Sequence, residues 1–221
     1  MKAPLKALCV ACATVLAASL GSCGLDAPAD RSLLTHEPCA PPCWQGLLPD
    51  VSTLAEVSQY VESSSVVGEH YRDTYADRTI IRWQSTIGGR SQRTWNAFSI
   101  RDGVLIAMRI HLDYEVTLEQ LLDKYGIPEK FRTQLESGGG VDALVNLYYP
   151  AQGLIAQLEV DPSDGHHELE EETKVTRVWY FSPTSVDGLF DLAGVVPFPD
   201  KKEHAEMVLQ DWHGYGFVDL R

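Results

Sequence analysis

Three groups of residues have the types and spacing for chemistry: a cysteine pair, a histidine–carboxylate cluster and a run of arginines. Cys39 and Cys43 are separated by three residues, two of them Pro41 and Pro42. A pair this close suits a small disulfide loop, worth about 2 kcal/mol in the chain-entropy model before any strain. Free thiols are one alternative. A metal site shared with His36 is the other, although structural zinc takes four ligands and no fourth is spaced nearby. A redox motif wants Cys-x-x-Cys on a βαβ unit, and neither is present. Asp161, Asp164, His166, His167 and Glu168 make the densest ligand cluster. Imidazole and carboxylate suit zinc or nickel. Their spacing matches no metal pattern, the calcium loop included, and a solvated acidic loop is the plainer reading.

Between Glu69 and Leu112 stand seven arginines: Arg72, Arg78, Arg82, Arg90, Arg93, Arg101 and Arg109. From Asp113 onward acids dominate, with a run at Glu168, Glu170, Glu171 and Glu172. One reading is an arginine face that meets an acidic partner, carried by Arg82, Arg93 and Arg109. The plainer one is solvated strand faces, with the arginine half against the acidic half. His111 and Arg109 share a strand face, and His204, Asp211 and His213 lie near the C-terminus. Acid–base work by any of them needs a convergent partner. The chain has no Gly-x-Ser-x-Gly, no phosphate-binding glycine loop, no Rossmann fingerprint and no His-Glu-x-x-His. No catalytic residue, metal ligand or cofactor is therefore assigned, and the chain reads as a non-enzyme.

The N-terminus says where these groups work. Lys2 and Lys6 precede an uncharged apolar stretch, Ala7 to Ser19, too short to span a bilayer. Small residues follow, in the pattern of a signal peptide. Leu20-Gly21-Ser22-Cys23 closes it. This tetrapeptide resembles the lipobox of bacterial lipoproteins. The resemblance implies that residues 1–22 are removed and that Cys23 carries lipid. The protein would then be anchored outside the cytoplasm, on the cell membrane or an outer membrane. Two or three acyl chains anchor stably where one does not. Cutting 22 of the 221 residues leaves 199, enough for one domain or two small ones. The formal charge is −13, and −15 without Lys2 and Lys6. Such acidity argues against nucleic acid, whose phosphates call for Lys and Arg.

The remaining elements form an α+β pattern of short helices on antiparallel sheet. Residues 23–37, small and polar with Pro28, read as a lipidated tether. Pro38-Cys39-Ala40-Pro41-Pro42-Cys43-Trp44-Gln45-Gly46 follows, with Trp44 placed to plug the core. This block resembles one found in uncharacterised bacterial lipoproteins, where it follows the lipobox tether. Thr53-x-x-Glu56 and Thr117-x-x-Gln120 are capping boxes. Each predicts a short helix followed by a meander, which divides the domain at 38–113 and 114–221 and suggests a degenerate tandem repeat. In the first meander Ile81 and Trp83 alternate with Arg82, so the arginines face away from the aromatic side. A three-residue turn at Arg101-Asp102-Gly103 would align Ile100 with Val104 and Phe98 with Ile106. In the second, a four-residue loop after Tyr149 pairs Tyr149 with Leu154 and Leu147 with Ala156. Gly138 to Gly140 read as a flexible turn, 174–181 as a strand and 203–211 as a helix. Trp212, Tyr215 and Phe217 form an aromatic tail, either packed on the domain or offered to a partner.

Residues Thr117 to Leu158, with their Tyr125-Gly126-Ile127-Pro128 and Tyr-bearing strand, are similar to the BamE/SmpA lipoproteins. The tandem form resembles the β-lactamase-inhibitor proteins. Both resemblances imply a binding module, here an envelope lipoprotein contacting another envelope protein. A ligand or metal sensor, and then a hydrolase, are the alternatives.

Overall fold

The computed structural model describes residues 31–86, 94–135, 143–160 and 168–217. Among them are four α-helices: α1 (Ser32–Thr35), α2 (Leu54–Ser63), α3 (Leu118–Tyr125) and α4 (Lys202–Val208). The strands of the main sheet are β1 (Val67–Thr74), β2 (Thr79–Ser85), β3 (Asn96–Arg101), β4 (Val104–His111), β5 (Lys130–Leu135), β6 (Ala143–Tyr149), β7 (Leu154–Val160) and β9 (Val175–Phe181). Two short strands, β8 (Glu168–Leu169) and β10 (Gly216–Phe217), pair with each other. The fold is α+β and mostly sheet. The order is β1-β2-β3-β4-β9-β7-β6-β5, with every neighbouring pair antiparallel. The two meanders thus merge into one sheet, joined where β4 pairs with β9.

Both capping boxes form. Glu56 N–H donates to Thr53 Oγ1 at 3.3 Å, and Thr53 N–H donates back to Glu56 Oε2 at 2.7 Å. The equivalent bonds between Thr117 and Gln120 are 3.3 and 3.1 Å. Each box satisfies amides that the first helical turn leaves without partners. Helix α3 ends at Gly126, whose φ of 78° suits glycine.

One sheet face is covered by α1, α2, α3 and Trp44. Its core runs through both halves, from Ile81, Trp83, Phe98, Met108 and Ile110 to Val178, Ala156, Leu147 and Phe131. Trp44 stacks on Trp83 at 5.7 Å and tilts against Phe98 at 6.0 Å, so it plugs the core as expected. The preceding Cys39 and Cys43 are joined in a disulfide. The opposite face is half covered. Residues from the C-terminal segment, notably Leu189, Val196 and Phe198, bury Tyr148, Ile155, Trp179 and Phe181.

Three expectations change. The tether does not reach residue 37, because Ser32–Thr35 form a helical turn and Leu33 is 1% exposed within the core. The turn between β3 and β4 has two residues rather than three. Asp102 and Gly103 both take positive φ, 50° and 79°, and Arg101 pairs with Val104. That turn matches the strand twist. A register shift beyond Ile100 then places Phe98 opposite Met108, not Ile106. The bulge, not the turn, restores an apolar face. The helix expected over 203–211 spans Lys202–Val208. The second hairpin matches its expected register, with Tyr149 opposite Leu154 and Leu147 opposite Ala156. Gly138 to Gly140 lie outside the described residues.

Phe98 is fully buried among Trp44, Tyr60 and Trp83. Phe98→Ala is expected to cost about 3–5 kcal/mol, measured by urea unfolding. A loss under about 1 kcal/mol would contradict this packing.

Candidate functional site

The open half of the second sheet face gathers the arginines. Side chains alternate along each strand, so residues in register across neighbouring strands share a face. One register line runs Tyr71, Arg82, Ala97, Arg109, Trp179, Ile155, Tyr148. The adjacent line places His111 beside Arg177, Gln157 and Asn146. Arg82 and Arg109 are therefore neighbours but for one alanine, and Arg177 sits one step away. Strands two apart are about 10 Å from each other.

Of the expected partner face, Arg82 and Arg109 come together, and Arg93 lies outside the described residues, as does Arg90. Arg78 joins them, whereas Arg72 lies on exposed β1 opposite Ile81. Arg177 and Trp179 belong to this face although neither was singled out from the sequence. The alternation of Val175, Arg177 and Trp179 is visible there, but not which neighbour the strand takes.

A cavity of about 300 Å³ opens on this face. Its floor is Ala97, Ser99 and Ala107, and Arg78, Arg82 and Arg109 stand around it. Gly194 and Val195 close one side, where Arg78 Nη1 donates to the Gly194 carbonyl at 3.2 Å. Arg82 pairs with Asp73 on β1 and lies 5.5 Å from the Tyr71 ring. Arg109 Nη2 donates to the Trp95 carbonyl at 2.9 Å. No carboxylate pairs with Arg109 among the described residues. Burial pushes its pKa down, and so do the charges of Arg177 and Arg82. Guanidinium keeps its proton regardless, so the charge persists.

His111, 9% exposed, lines a second cavity of about 480 Å³ with Asp113, Glu159, Lys174 and Arg177. Arg177 Nε donates to His111 Nε2 at 3.0 Å. That bond assigns an accepting, unprotonated Nε2, with the ring proton on Nδ1. Burial, then Arg177 and Arg109, hold its pKa down at about 3.

The other chemical candidates divide. The disulfide removes the thiol and zinc readings of Cys39 and Cys43, and His36 instead meets the Tyr125 hydroxyl at 3.2 Å. Asp161, Asp164, His166 and His167 lie outside the described residues, and Glu168 falls in β8. Trp212 and His213 pack edge-on against Phe131, whereas Phe217 is exposed. Cys23 lies outside the described residues. No described helix is long and apolar enough to cross a membrane. Comparison with known protein families, curated proteins and solved structures finds no match.

His111 gives the fold a pH dependence with a defined sign. Its folded pKa lies below the ordinary 6.5. Between those values the unfolded chain binds a proton that the native chain does not. The stability His111 contributes is full above pH 6.5 and falls with acid by about 1.4 kcal/mol per pH unit. His111→Gln keeps an acceptor without the titration. Its unfolding free energy is expected to converge on the wild type, or pass it, between pH 6.5 and 4. Parallel curves over that range would contradict the assignment.

Proposed function

We propose that the protein is an extracytoplasmic lipoprotein, anchored through Cys23, that binds an acidic envelope protein with the arginine face of its sheet. The observation that carries this is the register line that sets Arg82 beside Arg109, one step from Arg177. The chain is otherwise acidic, at −13. A positive face on an acidic protein steers a partner of opposite charge and penalises approach by other faces. Aromatic rings line the same surface: Tyr71 packs on Trp95 at 4.8 Å, and Arg177 lies over Trp179 at 5.7 Å. Arginine and aromatics are the residue types enriched at interface centres.

The same reading makes the two halves a tandem repeat, and three correspondences support it. Each helix opens with a Thr capping box, at Thr53 and Thr117. Each capping threonine bridges a residue at the start of the strand that meets the seam, Thr53 with Val104, which opens β4, and Thr117 with Lys174, which immediately precedes β9. The next amide then bonds the residue just before, Leu54 to the Gly103 carbonyl and Leu118 to that of Thr173, both at 2.8 Å.

Two measurements test this function. Cys23→Ala is expected to release the protein from the membrane fraction, and retention there would contradict the anchor. Crosslinking in native cells, followed by mass spectrometry, is expected to capture a reproducible envelope partner. Replacing Arg82 and Arg109 by Glu should abolish that capture. An unchanged capture would move the interface elsewhere on the molecule.

A further inference from the structure

We infer that the groove between Arg82 and Arg109 is a carboxylate-binding site, a step that rests on the arginine face being the binding face. Four features carry the inference. First, the two guanidinium-bearing strands are separated by β3, which presents only Ala97 between them. The two strands lie about 10 Å apart, which leaves room for an anion between the two arginines. Second, the floor is made of small side chains, Ala97, Ser99 and Ala107, so no side chain among the described residues fills that span. Third, Arg109 is half-buried among like charges, its Nε shut off from water without a partner among the described residues, and no carboxylate of the described chain compensates it. A partly desolvated cation that cannot lose its proton gains from an anion that meets it. Fourth, the walls are aromatic. Trp179 follows Arg109 in the row, and Tyr75 lies beneath Arg78, whose guanidinium is 5.8 Å from the Tyr75 ring.

The volume, about 300 Å³, sits at the small end of ligand pockets. It fits one acidic group with a short apolar or aromatic body, not a long chain. Asp73 already occupies one edge of Arg82. A guanidinium has five donors, so a second carboxylate on the inner edge does not require Asp73 to leave. The carboxylate has two sources: a free organic acid, or an acidic side chain of the docked partner protein. The chemistry at the arginines is the same for both.

The test uses the full lipidated chain in detergent micelles. Benzoate is titrated by calorimetry and by tryptophan fluorescence, since Trp179 borders the groove. Benzamide, the neutral analogue, and inorganic phosphate serve as comparison ligands. Saturable binding of benzoate is expected, with no binding of benzamide and weaker binding of phosphate. Arg109→Gln removes the charge, and Ala97→Leu fills the seat while leaving every arginine in place. Each should weaken benzoate at least tenfold. Lys124→Gln, on the exposed side of α3 across the sheet, should leave it unchanged. Thermal melts establish that each variant is folded. The benzoate–benzamide comparison needs no variant at all. A glutamate-containing peptide blocked at both ends distinguishes the sources: binding stronger than benzoate points to a partner side chain, weaker binding to a free acid.

No saturable benzoate binding by the folded wild type would overturn the site. So would benzamide binding as well as benzoate, phosphate binding better, or folded Arg109→Gln and Ala97→Leu binding like the wild type. If cellular capture still fails when Arg82 and Arg109 become Glu, but benzoate does not bind, the docking face stands and this carboxylate seat falls. If benzoate binds and capture is unchanged by those substitutions, the seat stands and the docking face falls.

Discussion

Five paired positions, from Ala107 with Phe181 to His111 with Arg177, hold the two halves of the chain in one sheet. Everything else depends on that seam. Strands β4 and β9 sit in the middle, so each must be dry on both faces over most of its length. One face becomes a single core shared by both meanders, with the helices laid across it. The other is roofed only on the side of the second half, by the segment carrying Leu189, Val196 and Phe198. The uncovered remainder lies over β1 to β4, and it is where the arginines collect. The roof and the arginine groove share a border at Gly194 and Val195.

The seam also explains why the site is electrostatically unusual. Within β4 alone, Arg109 and His111 are an ordinary pair on one strand face. Pairing with β9 adds Arg177 and Trp179 directly opposite them. His111 is driven neutral and turned into an acceptor for Arg177. Arg109, which cannot respond by losing its proton, keeps its charge. A histidine and an arginine in nearly the same surroundings therefore reach opposite states, and the difference is their intrinsic basicity.

What was legible in the sequence was local. The capping boxes announce themselves because a hydroxyl and a carboxylate or amide three residues apart have one good use at a helix start. The second hairpin follows from strict alternation on both sides of a proline-initiated loop. The inward Ile81 and Trp83, and hence the outward Arg82, follow from period two. The turn before β4 is not legible because apolar matching does not fix loop length: a bulge one residue on achieves the same apolar face. Leu33 was hidden in a polar segment that gives no periodic signal. The groove itself was half legible: Arg82 and Arg109 could be placed on strand faces, but their closeness depends on β3 contributing an alanine between them. Arg177 could not be added at all, since its neighbour across the sheet is 66 residues away in sequence. Contacts of that range leave no pattern in a local window.

The nested strand order has a consequence for the order in which the fold can assemble. The chain emerges from synthesis with β1 to β4 complete long before β9. About 70 residues separate His111 from Phe181, so β4 is available well before the strand that covers its free edge. For that interval β4, the future centre, is a bare edge strand with apolar side chains on both faces, a template for pairing with the wrong chain. The one charged residue that blunts this edge is Arg109, close to its end. An arginine that lines the groove in the finished protein is thus also the gatekeeper of its half-made state.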